Sequence, residues 1–274
     1  MPPAKRAKRP RTRRVKRILN VVPSRETEND WQFEHADAAG LLAAAAAVPR
    51  SKDLRETWWK VGDQGSTGSC VGWATADSLL RWHFVKSGRI KQADTLSKRF
   101  VWMASKETDE FASTPTTFIE NAGTSLKAAL DVSRKFGAVK ENVLPFSGSS
   151  LYPGTPQTFY ALAAQLKIQS YFNLSFNHGG SVASWRRWIA GNGPLLTRLD
   201  VDRTWDEATD HSGNMDTYQP NTTRGGHAVS IVGYTADRFI IRNSWGTGWG
   251  DKGFGYASLA YVQDAFTEAY GITV

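Results

Sequence analysis

The sequence predicts an α+β protein, with its helices in the first half and antiparallel strands in the second. Three observations carry this expectation. From Leu54 to about residue 136, apolar residues recur at helical spacing between recognisable caps. After Gly193-Pro194 the pattern changes to short runs rich in Val, Ile and Tyr, separated by turn residues. Helices grouped before strands, rather than alternating with them, distinguish α+β from a parallel α/β sheet. At 274 residues and 41% hydrophobic, with 11 Trp, 13 Phe and 8 Tyr, the chain has material for one large core or two small ones.

Taken in order, residues 1–25 read as a disordered basic arm, because like charge and prolines leave little to bury. Residues 29–48 read as a helix, with Asn29 or Asp30 as N-cap and Pro49 as the stop. The region 26–49 is thus a pro-segment-like or accessory element. The globular body follows at 50–274, helical over about 60–150 and β over about 151–274. Residues 71–86 predict a buried helix ending at Gly88, and 97–107 a second with Ser97 as N-cap. Residues 125–136 predict a third, stopped by Gly137, and a short fourth helix lies around 181–190. Leu195–Val201, His227–Tyr234, Arg238–Asn243, Gly253–Ala257 and Ala269–Thr273 predict strands. No internal repeat is present.

The formal charge of +8 is local. Residues 1–17 hold nine basic residues and no acidic one, and the rest of the chain carries 25 basic against 26 acidic. A basic nucleic-acid-binding body is therefore the first reading to lose ground, and the place for a weak polyanion contact is residues 5–17. One cysteine excludes an internal disulfide and a cysteine-based zinc site, and fits a reducing, cytoplasmic setting. Thr12–Leu19 with the apolar stretch 38–48 imitates a twin-arginine export signal, but the acidic residues between them argue against export. No apolar run approaches the length of a membrane span.

The chemistry-bearing residues are few. Cys70 closes Gln64-Gly-Ser-Thr-Gly-Ser-Cys at the start of the first long helix, where unpaired amides favour thiolate over thiol. Taken alone, it reads as readily as a small buried hydrophobe. His227 opens one predicted strand and Asn243 closes the next, so a hairpin brings them together. The Asn243 amide oxygen then fixes the tautomer of His227, Trp245 shields that bond, and the other ring nitrogen faces a thiol.

QGSTGSC, GGHAVSIVGY and NSWGTGWGDKGFG resemble, in order, the three signature blocks of the papain-like cysteine peptidases. The resemblance implies a two-lobed papain-like fold, with a helical lobe carrying the Cys helix and an antiparallel, β-barrel-like lobe carrying His and Asn. It implies Cys70 as nucleophile, His227 as general acid and base, and Asn243 as its orienter. Gln64 and the Cys70 amide would form an oxyanion hole. The implied activity is cysteine-type endopeptidase cleavage of a peptide or protein substrate through a thioester acyl-enzyme, without cofactor or metal. Ser69, Ala122, Gly123, Gly226 and Trp245 are implied around the substrate. Thr67 and Val71 stand where the family signature has a cysteine and an aromatic residue, and the long propeptide of many members is absent.

His35, His83, His178 and His211 lack the partners of a metal pair. The glycines at 246–255 imitate a phosphate loop but follow Asn-Ser-Trp, and read as a turn. Two readings compete with hydrolysis. One is a papain-like binding scaffold tethered by the basic arm. The other is a peptide ligase or amide transferase using the same site.

Overall fold

The computed structural model describes residues 16–42, 48–108 and 123–274. The helical half is built around the segment that begins at Cys70. Helix α2 (Cys70–Gly72) continues through wider, π-helical turns at Trp73–Leu80 into α3 (Arg81–Lys86). Every residue from Cys70 to Arg81 is buried, so this is a central helix whose backbone is shielded on all sides. Around it pack α4 (Lys98–Thr108), α5 (Leu126–Lys135) and α6 (Pro156–Ala163). The expected caps are present: the Ser97 hydroxyl accepts from the Phe100 amide at 3.0 Å and the Ser125 hydroxyl from the Ala128 amide at 3.2 Å. These contacts satisfy donors that a helix start leaves unpaired.

The β half is one eight-stranded sheet in the order β2 (Ser170–Asn173), β8 (Phe266–Thr273), β3 (Leu195–Asp200), β5 (Gly226–Tyr234), β6 (Arg238–Arg242), β7 (Phe254–Ser258), β4 (Asn214–Met215). A short β1 (Lys52–Asp53) adds to β5. The sheet is open, which corrects the barrel-like expectation, and its β4–β7 pair is parallel. Each strand of the β3–β5–β6 centre is buried on both faces, because helices cover one side and the segments α7 (Val182–Gly191), α8 (Thr204–Glu207) and α9 (Leu259–Ala265) the other. The sheet thus separates two cores. One holds Cys70, Val71, Leu79, Leu130 and Ala228; the other is dominated by Trp185, Trp188, Trp205, Trp245 and Trp249.

The N-terminal expectations need correcting. Helix α1 spans only Phe33–Ala38 and ends at Gly40, whose φ of +69° suits a residue without a Cβ. Asp30 is no cap: its buried carboxylate accepts from Tyr270 Oη at 2.9 Å and Asn173 Nδ2 at 3.2 Å, and pairs with Lys127 Nζ at 2.7 Å. The alanine run 43–47 and residues 1–15 lie outside the described residues. Residues 16–25 are not a free arm. They run without helix or strand structure through the cleft between the two halves.

Candidate active site

The cleft gathers the predicted catalytic residues. Cys70 begins the central helix and is fully buried. The amides of Ala228, Val71 and Cys70 itself donate toward its sulfur, which places the thiol against the strand residue that follows His227. Burial outweighs those donors and pushes the thiol up to about 11. His227 stands at the start of β5, also fully buried, with Nε2 2.9 Å from Asn243 Oδ1. Since an amide oxygen only accepts, this contact puts a proton on Nε2 and leaves Nδ1 as the nitrogen that can take one. The Trp245 ring lies 4.9 Å from the imidazole and Trp205 meets it edge-on at 5.5 Å, shielding the pair. Burial pushes His227 down to about 4; Asn243 pulls it up, and the positive Arg17 pushes it further down.

Gln64 is held at both ends of its amide. Oε1 accepts from Ser244 Oγ at 2.7 Å and Nε2 donates to the Thr67 carbonyl at 2.9 Å. Its main-chain amide also donates to the Ser244 carbonyl at 2.8 Å. One Nε2 hydrogen therefore keeps a fixed direction for an anionic oxygen. Ser244 was not singled out from sequence, and Thr67 only as standing where the family signature has a cysteine, although both lie inside the signature blocks.

The expected substrate-binding residues divide. Trp245 covers the His227–Asn243 pair, while Gly226 and Gly123 line the cleft. The Ser69 side chain is buried, with its hydroxyl 2.6 Å from that of Thr67. Ala122 lies outside the described residues.

What fills the cleft is the chain itself. The Arg17 guanidinium pairs with Asp63 at 2.5 Å, donates to the Gly65 carbonyl at 2.8 Å and to the Trp245 carbonyl at 3.0 Å, and lies 5.6 Å over the Trp245 ring. The Val21 amide donates to the Gly226 carbonyl at 3.2 Å, and the Val22 amide to the Thr124 carbonyl at 3.3 Å. Between them Asn20 passes so near Gly123 that a Cβ there would sit 1.7 Å from its carbonyl oxygen. Val21 is buried in the same cluster as Cys70. Beyond it, the Ser24 amide and hydroxyl donate to the two oxygens of buried Glu268 at 3.1 and 2.5 Å. Nothing in the composition of a basic arm signals this, because each partner is remote in sequence.

A family model described as papain family cysteine protease matches residues 48–268. A cathepsin L-like proteinase of Fasciola hepatica is 26% identical over 214 residues, covering 76% of this chain and 60% of that protein. Cathepsin K of Mus musculus is 25% identical over 268 residues, covering 93% of this chain and 70% of the relative. The chain thus spans well under the full length of the curated relatives it matches. Among solved structures, xylellain, a cysteine protease from Xylella fastidiosa, superposes with a TM-score of 0.74 at 22% identity, over 96% of this chain and 98% of that one. The bromelain protease of Ananas comosus superposes with a TM-score of 0.60 at 18% identity, over 83% of this chain and 100% of that one.

Proposed function

The chain belongs to the papain family of cysteine proteases, and from that premise we propose that it is a thiol peptidase kept latent by its own residues 17–25. The observation that carries the chemistry is the 2.9 Å contact between His227 and Asn243 beside the buried Cys70. In the open cleft His227 Nδ1 takes the Cys70 proton, and the resulting thiolate attacks the scissile carbonyl. Charge developing on that oxygen meets the Gln64 side chain and the Cys70 amide. Imidazolium then gives its proton to the leaving amine, and the thioester is hydrolysed by a water that His227 deprotonates.

The latency reading rests on what the segment does to these groups. Val21 joins the buried cluster around Cys70, and the Arg17 charge pushes His227 down, which adds to the burial that holds thiol and imidazole neutral. The segment also takes the Gly226 and Thr124 carbonyls, the sites at which a peptide backbone would bind.

The test is covalent labelling by a thiol-reactive peptidyl inhibitor. The native chain should label slowly, and Arg17→Ala combined with Val21→Asp should label and hydrolyse peptides at least about tenfold faster. Cys70→Ala and His227→Ala in that background should abolish turnover. Labelling that persists without His227, with no hydrolysis of any peptide pool, would overturn the peptidase reading. Equal rates with and without the two N-terminal changes would overturn latency.

A further inference from the structure

The reacting groups come from different halves of the molecule, so something must set the distance between them. Two cross-connections do so at the cleft itself: Ser244 grips Gln64, and the Ala228 amide meets Cys70. A third lies deeper and involves Arg242, the residue immediately before Asn243. Its guanidinium leaves the end of β6, crosses to the central helix, and pairs with Asp77 at 2.7 Å while also donating to the Ser78 hydroxyl. The same guanidinium donates to the Lys60 carbonyl at 2.6 Å and lies 4.9 Å over the Trp59 ring. Trp59 in turn donates to the Asp77 carbonyl at 2.9 Å. On β5, Ser230, which pairs in register with Arg242, donates to the Ala74 carbonyl of the same helix at 3.2 Å.

The Arg242–Asp77 pair is almost completely buried, with side-chain exposures of 1% and 6%. Such a pair is poor evidence for stability, since two desolvated charges recover only about what they lose. Two fixed directions are what a planar, forked donor supplies better than an apolar contact. Asn243 is therefore flanked by residues that both reach across, Ser244 to the glutamine and Arg242 to the helix that starts at Cys70.

Resting on the peptidase reading above, we propose that Arg242, through Asp77, is a positioning residue: it sets how Asn243 and the His227 it holds stand relative to Cys70. Arg242 touches no reacting atom. A shift of the strand end by even about 1 Å would lengthen proton transfer between Cys70 and His227 and lower the rate by one to two orders of magnitude.

The experiment uses the full chain opened by Arg17→Ala and Val21→Asp as parent. The double change Arg242→Met with Asp77→Asn removes both charges of the pair together, so neither of the two is left buried without the other. Arg81, which lies 3.6 Å from Asp77, keeps the Trp58, Gln92 and Asp94 carbonyls as acceptors. The double variant should keep a Tm within a few degrees of the parent. It should lose at least about tenfold in kcat with KM within about twofold. Alkylation of Cys70 should also need a more alkaline pH, because thiolate and imidazolium no longer stabilise each other. Arg242→Lys, retaining charge without the fork, should fall between the two. A folded double variant with parental kcat and an unshifted alkylation profile would overturn the inference, and if that variant fails to fold, a parental kcat and profile in Arg242→Lys would do the same. A parent that hydrolyses no peptide would overturn the peptidase reading and take this inference with it.

Discussion

Ser244 shows how much a single hydroxyl can decide. It donates to Gln64 Oε1, which turns the Gln64 amide so that nitrogen rather than oxygen serves the cleft. Without that donor the amide keeps only its Nε2 contact with the Thr67 carbonyl, and whenever it turns, an oxygen facing a developing oxyanion repels it. Ser244→Ala should therefore lower kcat by about 10- to 10²-fold, approaching the 10²–10³ of a lost oxyanion donor. Alkylation of Cys70, which forms no oxyanion, should be unchanged. Equal losses in both assays would mean that Ser244 supports the His227–Asn243 pair instead. Cys70, His227, Asn243 and Gln64 are legible in the sequence because their chemistry requires those residue types within short signatures. Ser244 and Thr67 sit in the same blocks, but their service is to Gln64, a relation that appears only when the loops at 62–67 and 243–246 lie side by side.

At the level of elements, local pattern succeeded wherever a cap or a period is written within a few residues. Helices α4, α5 and α7 begin at Ser97, Ser125 and Ser181 because each side chain satisfies a free amide nearby. Pattern failed for residues 16–25, whose positions depend on Asp63, Gly226 and Glu268, and for 29–48, where Asp30 is drawn to Tyr270 instead of capping a helix. The cleft-filling segment makes Gly123 informative. A methyl group there would meet the Asn20 carbonyl at 1.7 Å and Val22 Cγ1 at 3.4 Å, both within the segment, so Gly123→Ala should expel it without touching the central helix. Cys70 in Gly123→Ala should then react with a small alkylating reagent at least about tenfold faster than in the native chain. Peptide hydrolysis should gain much less, since the same methyl group stands where a substrate backbone would run. A parallel rise in both rates would show that the cleft wall at Gly123 is not used by substrate, and no rise in either would show that the segment does not govern access.

Over the whole molecule, the buried histidines determine how the fold meets acid. Burial alone pushes His83 down to about 3, and burial leads in pushing His227 down to about 4, against 6.5 in an exposed state. Below pH 6.5 the unfolded chain therefore binds protons that the folded one refuses. The histidines' contribution should be flat above that pH and fall as pH drops through the window down to 4 for His227 and 3 for His83. In the steep part each histidine contributes a slope approaching ~1.4 kcal/mol per pH unit. Asp53 and Asp63 are held below the ordinary carboxylate range, so the stability that they add is lost only below about pH 3.8. Glu268, pushed up mainly by burial, acts with the opposite sign: what it contributes is present at low pH and is lost as pH rises above its ordinary 4.5. These three carboxylates persist in a His83→Leu variant and cancel in the comparison. His83 stacks edge-on against Trp82 at 5.1 Å, its Nε2 is buried without a hydrogen-bond partner, and it lies on the central helix more than three turns from Cys70. His83→Leu should thus leave the active site in place and remove one of two titrations. Urea unfolding at pH 7 and pH 5 should show a smaller loss of stability in this variant than in the native chain, the difference between the two losses being the His83 titration. An undiminished loss would mean that His83 gains no proton on unfolding in this range, and that the acid sensitivity lies at the catalytic histidine or elsewhere.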